Sequence, residues 1–161
     1  IASVENETQL AGVIAHEIGH VIGRHITKIL SKKLLMAGII AGVTELVIKD
    51  EGKKEVFQLI GSAFIFFSSL KFSRDDEREA DYIGVHMLYD ADYNPYGLTE
   101  FFRWLKKQKK GGSLPEFLST HPDIDERIMN TSFYASTLKP KKYRPLNSRA
   151  FLKAKKLAGI R

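Results

Sequence analysis

Residues 16–20 read His-Glu-Ile-Gly-His, two imidazoles four positions apart with a carboxylate directly after the first. On a helix such residues stand one turn above each other, so His16 and His20 leave the same face and can reach one ion. Zinc accepts neutral imidazole nitrogen and carboxylate oxygen, and a catalytic zinc site uses three protein ligands plus water. One Zn2+ per chain is therefore the expected cofactor. Glu17 is displaced around the helix, away from the ion but within reach of its water. The ion lowers the pKa of that water towards ~7, and Glu17 is the expected general base. The pattern arises by chance in well under about 1% of chains this long, so a metal outweighs two histidines that bind none.

A third ligand is required, and the segment Glu77-Arg78-Glu79-Ala80-Asp81 offers it. Glu77 and Asp81 share a helix face, and Ala80 is small enough to permit close packing. One carboxylate can bind the metal while the next accepts the spare N–H of a ligating histidine and fixes its orientation. Glu79 is the competitor for the ligand role. Taken without the histidine helix, the segment would read only as an acidic first turn stabilised by the helix dipole. His25 and His86 sit at no productive spacing to these residues and read as structural, and Phe101, Phe102 and Trp104 as core.

The elements that must position these groups are helical almost throughout. Leu10, Val13, Ile14, Ile18, Val21, Ile22 and Ile26 recur at three- and four-residue spacing, predicting one helix over residues 6–30 with this stripe as its apolar face. Gly12, Gly19 and Gly23 would let another helix approach closely. Two apolar helices follow at 34–48 and 53–70, separated by a turn at Asp50-Glu51-Gly52. Ser73 reads as the N-cap of a helix to about Tyr89, and Asn94-Pro95 as cap and first residue of one ending near Lys110. A short helix to Ser119, one from Asp123 to about Leu138 and a last one from Ser148 complete the reading. No alternating strand is found, so the fold class is mostly α.

The composition, 43% hydrophobic and 27% charged in 161 residues, is that of one globular domain, here residues 1–138. With no Cys, disulfides and thiolate ligands are excluded. Residues 34–48 and 56–70 are interrupted by polar residues and fall short of the ~18–20 apolar residues of a membrane span. They read as buried helices or as helices touching a membrane surface. The net charge of +6 is concentrated in a basic tail, 139–161, with nine Lys and Arg and no acid. That tail reads as a solvated surface helix or as a meeting point for anionic lipid. Nucleic acid is not an expected partner, because no helix interleaves basic residues with polar base readers or aromatic stacking platforms.

The motif residues carry a resemblance. His16-Glu17-Ile18-Gly19-His20 with Glu77-x-x-Ala80-Asp81 is similar to the gluzincins of peptidase family M48, and within it to the BepA-like periplasmic branch. Further landmarks are Leu10–Ala15 before the motif, Arg24-His25 after it, Phe72-Ser73-Arg74, Ile83-Gly84, Tyr93-Asn94-Pro95, and Leu118-Ser119-Thr120-His121-Pro122 with Arg127. They span roughly three quarters of the chain. The resemblance implies a zincin-like helical catalytic domain with His16, His20 and Glu77 as zinc ligands, Glu17 as base and Asp81 behind a ligand. It makes His121 a fourth ligand that displaces water and holds the enzyme latent. From chemistry alone, His121 could equally stabilise an oxyanion or cap the helix at Asp123. Arg127 would bind a substrate carbonyl or an acidic partner, or form a surface salt bridge.

Members of this kind carry a small β-sheet ahead of the active-site helix, whose edge strand binds substrate by strand addition. The start at Ile1 leads us to expect that sheet upstream of this chain. The expected activity is that of a zinc metalloendopeptidase acting on unfolded or misassembled polypeptides by attack of zinc-bound water. The expected setting is a bacterial periplasm or cell envelope, with an anchor outside this chain as the alternative. The competing class is a catalytically silent, chaperone-like module in which His121 closes the fourth metal position.

Overall fold

The structure, a computed structural model, describes residues 4–68, 72–110, 121 and 123–159. Its helices divide between two units, residues 1–23 with 73–161, and residues 24–72. The first contains α1 (Glu7–Ile22), α4 (Arg74–Asp90), α5 (Gly97–Lys110), α6 (Ile124–Thr137) and α7 (Arg149–Leu157). The second is the hairpin of α2 (His25–Val47) and α3 (Glu51–Ser68). No strand occurs among the described residues, as the mostly α reading expects.

In the first unit, α1 begins where the Asn6 side chain accepts from Gln9 N, satisfying one of the orphan donors of the first turn. Its buried face is Thr8, Gln9, Gly12, Ala15, His16, Gly19 and His20. Much of the apolar stripe lies outside that face: Leu10 and Val13 pack against the core, but Ile14, Ile18, Val21 and Ile22 are exposed. The reason is steric. A Cβ on Gly19 would lie 2.7 Å from Ala80 O, and one on Gly84 would lie 3.1 Å from His16 N. The backbones of α1 and α4 thus meet through small residues, a contact that a stripe of isoleucines would hold apart.

The N-cap predicted at Ser73 is present, and it forms a full capping box: its side chain accepts from Asp76 N and the Asp76 carboxylate accepts from Ser73 N. α5 contributes the buried Leu98, Phe101, Phe102 and Leu105, confirming the core reading for the two phenylalanines, while Trp104 is partly buried and stacks on Phe101. This helix starts at Gly97 rather than beside Pro95. Asn94 instead closes a turn, accepting from Tyr96 N on its side chain and from Gly97 N on its carbonyl. α6 follows Asp123, and α7 follows the Ser148 cap. The basic segment packs on this unit: Phe151 joins the core, and Glu7 N donates to Asn147 Oδ1.

In the second unit, the long helix predicted to run to residue 30 is broken. Arg24 takes a left-handed conformation at φ 54°, and α2 starts afresh at His25. Asp50 caps α3 by accepting from Lys53 N. No described helix is long and apolar enough to cross a membrane. The short helix predicted to end at Ser119 lies outside the described residues.

Candidate metal centre

Two helices and one loop residue of the first unit bring His16, His20, Glu77 and His121 together, all buried, with one donor atom from each lying within 4.8 Å of the others. α1 supplies the two histidines from consecutive turns. α4 supplies Glu77 from its first turn, where the partial positive charge of the helix N-terminus favours a carboxylate. The close meeting of Gly19 with Ala80 and of His16 with Gly84 is what lets these short side chains reach a common point. Gly84 was not singled out for this from sequence, although its i, i+4 relation to Ala80 marks a small-residue stripe.

His16 Nε2 and His20 Nε2 are 3.0 Å apart, Glu77 Oε1 is 3.5 Å from His20 Nε2, and His121 Nδ1 is 3.5 Å from His16 Nε2. A tetrahedral ion with nitrogen ligands at ~2.05 Å separates its ligand atoms by roughly 3.3 Å, inside this range. His121 Nδ1 also lies 2.8 Å from Glu77 Oε1, a hydrogen-bond distance. Glu77 Oε2 accepts no aligned hydrogen bond despite full burial, although Arg127 Nη1 stands 2.8 Å away as an ionic contact. Two imidazole nitrogens facing each other beside an incompletely satisfied carboxylate is a donor set that a divalent cation completes.

Behind the donors, Asp81 Oδ1 lies 3.0 Å from His16 Nδ1, the position from which a carboxylate fixes the tautomer that leaves Nε2 free to ligate. Arg127 is buried, not a surface residue. Its Nε and Nη2 donate to the two oxygens of Asp81 at 2.9 and 2.7 Å, and its guanidinium lies over the Phe102 ring at 4.1 Å. The alternative of a surface salt bridge gives way to an internal one, and the guanidinium is engaged by the site's own carboxylates. Two carboxylates and one guanidinium leave one negative charge beside the imidazoles, a field that suits a cation.

Burial pushes the His16 imidazole below its ordinary pKa, more than Asp81 offsets. This favours the neutral form that ligates metal. Burial acts against ionisation of Glu77, but hydrogen bonds from His121 and His20 and the charge of Arg127 overcome it and hold the carboxyl well below the usual range. Glu17 is half exposed at the edge of the cluster, with Oε1 3.8 Å from His121 Nε2. Glu79, the alternative third ligand, is exposed and does not join the cluster. His86 bonds Tyr82 O, and the buried His25 ring lies 6.4 Å from the Phe72 ring; neither is among the grouped donors. An open apolar groove of about 280 Å3, lined by Ile14, Ile18, Met87 and Tyr93 among others, runs between α1 and α4.

Comparison with known proteins adds an independent line. Residues 1–133 match Peptidase family M48. The chain is 33% identical over 123 residues to the mitochondrial metalloendopeptidase OMA1 of Arabidopsis thaliana, covering 76% of this chain and 24% of that protein. It is 30% identical over 143 residues to the beta-barrel assembly-enhancing protease of Yersinia pestis and 29% identical to that of Escherichia coli (strain K12). Those alignments cover 84% of this chain and 29% of each relative. The chain thus spans less than a third of the length of these relatives.

Proposed function

The chain belongs to peptidase family M48, and from that premise we propose that it is the catalytic part of a zinc-dependent metalloendopeptidase. The observation that carries this reading is the convergence of His16, His20 and Glu77, buried, on one point. These three would hold the ion, with Asp81 orienting His16 and Arg127 holding Asp81 and Glu77 in place. Bound there, a zinc ion supplies positive charge that polarises a scissile carbonyl and makes water a better acid.

The residues of the chain do the rest. Glu17, kept out of the donor set by its position on α1, accepts a proton from water at its carboxylate and delivers one to the leaving amine nitrogen. The burial of His16 keeps it a neutral donor, and the Arg127 guanidinium prevents Glu77 and Asp81 from repelling each other apart. Proteolysis of an unfolded protein such as casein by the zinc-loaded chain, abolished by chelation and by Glu17→Gln, tests the assignment. Turnover that survives in Glu17→Gln removes Glu17 from the role of base.

The substrates we infer are unfolded or misassembled polypeptides of the bacterial cell envelope, in keeping with the names of the beta-barrel assembly-enhancing relatives. A second reading is favoured by His121, whose Nδ1 reaches both Glu77 and His16. As a fourth ligand it would close the site and hold the enzyme latent, or make the metal structural in a binding module. His121→Ala separates these outcomes: raised proteolysis identifies a latch, and loss of folding identifies a structural ligand.

A further inference from the structure

The hairpin of α2 and α3 does not bury what its sequence suggests. Among its described side chains only His25 and Thr44 are buried. The two helices meet along a narrow seam at Ile40 and Gly61, where a Cβ on Gly61 would stand 3.0 Å from Ile40 Cγ2. Leu35, Ile39 and Leu46 lie on another side of α2 at helical spacing and are exposed, Leu46 by 84%. Val56, Leu59 and Ile60 form the corresponding face of α3, turned away from Gly61, with Leu59 exposed by 72%. The apolar surface therefore covers both outer faces of the hairpin, not one.

We propose that this hairpin is a membrane-binding element that lies in the headgroup–acyl boundary of an anionic bilayer without crossing it. Three features select lipid as the occupant. A second copy of the chain docked along one outer face would leave the opposite face in water, whereas a bilayer surrounds both. The charge-free part of α2, residues 34–44, is about 16 Å long, well short of the ~30 Å hydrocarbon core. Exposed Lys32 lies before the apolar stretch and exposed Lys49 and Lys53 after it, where their stems can follow the acyl chains while the ammonium groups meet lipid phosphates. Residues 24–72 carry eight Lys and Arg against four Asp and Glu, a balance that anionic headgroups complement.

The proposal gives a physical surface to the envelope setting inferred above and rests on it for its biological sense, but its test does not depend on the metal. The whole chain, in chelator, is floated with phosphatidylcholine vesicles with and without one-third phosphatidylglycerol. The chain has no native Cys, so Leu46→Cys bearing an environment-sensitive fluorophore reports insertion at a single site. The expected result is flotation several-fold stronger with the anionic vesicles and a blue shift of the Leu46 label. Ile39→Asp with Leu59→Asp, at exposed positions that leave the circular dichroism unchanged, should abolish both. Lys32→Glu with Lys53→Glu should weaken flotation at low salt. Failure to float overturns the proposal. So does flotation with an unshifted label, which assigns lipid binding to the basic segment 139–161. A stable dimer that Ile39→Asp dissociates, without vesicle binding, gives the surface to a second copy.

Discussion

At Arg127, one guanidinium bonds both oxygens of Asp81 and stands 2.8 Å from Glu77 Oε2, with all three groups buried. Removing it leaves two carboxylates facing each other without a counter-charge, so Arg127→Met should destabilise the chain by about 3–5 kcal/mol in urea denaturation. A cost below ~1 kcal/mol would mean that the ion pair is dispensable. Glu17 predicts the opposite pattern, because it is half exposed and bonded into no such network. Glu17→Gln should keep the denaturation midpoint and the bound zinc of the parent while peptide cleavage falls by about 10²–10⁴-fold. The motif residues were legible in the sequence because their spacing alone places them on one helix face. Arg127 was legible as a landmark but not in its role, since its partners lie forty-six and fifty residues away along the chain and nothing local points it inward.

Among the elements, the approach of α1 to α4 decides whether the donors meet. A Cβ at Gly19 would stand 2.7 Å from Ala80 O and 2.9 Å from Ala80 Cα, backbone atoms that cannot rotate aside. Gly19→Ala should therefore cost about 1–3 kcal/mol and weaken zinc binding together with stability. Gly38→Ala is the control: a Cβ there meets nothing within 4 Å, and the exchange should stabilise α2 by up to ~1 kcal/mol through helix propensity. Equal effects at the two positions in thermal melts would contradict the packing account. This contact also explains why the buried face of α1 is not the one its apolar stripe marks, and it follows the close approach expected at Gly12 and Gly19. Periodicity finds the most hydrophobic face, and here the buried face is made of glycine, alanine and histidine, which hydrophobicity ranks low. Cap chemistry read more truly, at Ser73 and Ser148, because it depends only on the next three residues. Asn94 misled because the same side chain that caps a helix also closes a turn.

Across the whole molecule, the segment before α7 is tied back to the start of α1. Glu7 accepts from Ser148 N and from the Tyr93 hydroxyl, and Asn147 accepts from Glu7 N. Burial opposes ionisation of Glu7, but the bonds from Ser148 and Tyr93 outweigh it and lower its pKa below the ordinary 4.5. A carboxyl depressed in the folded state contributes stability that is fully present above its unfolded pKa and is lost as pH falls through the folded value. The stability difference between the parent and Glu7→Gln should accordingly be largest near neutrality and shrink below pH ~4.5; a difference that grows on acidification would contradict the tie. The measurement that reaches the central claim most directly is a diffraction map collected at the zinc absorption edge from crystals grown with the metal. One anomalous peak about 2 Å from His16 Nε2, His20 Nε2 and a Glu77 oxygen is the predicted result, whereas a peak that excludes Glu77, or no peak among these three residues, would contradict it.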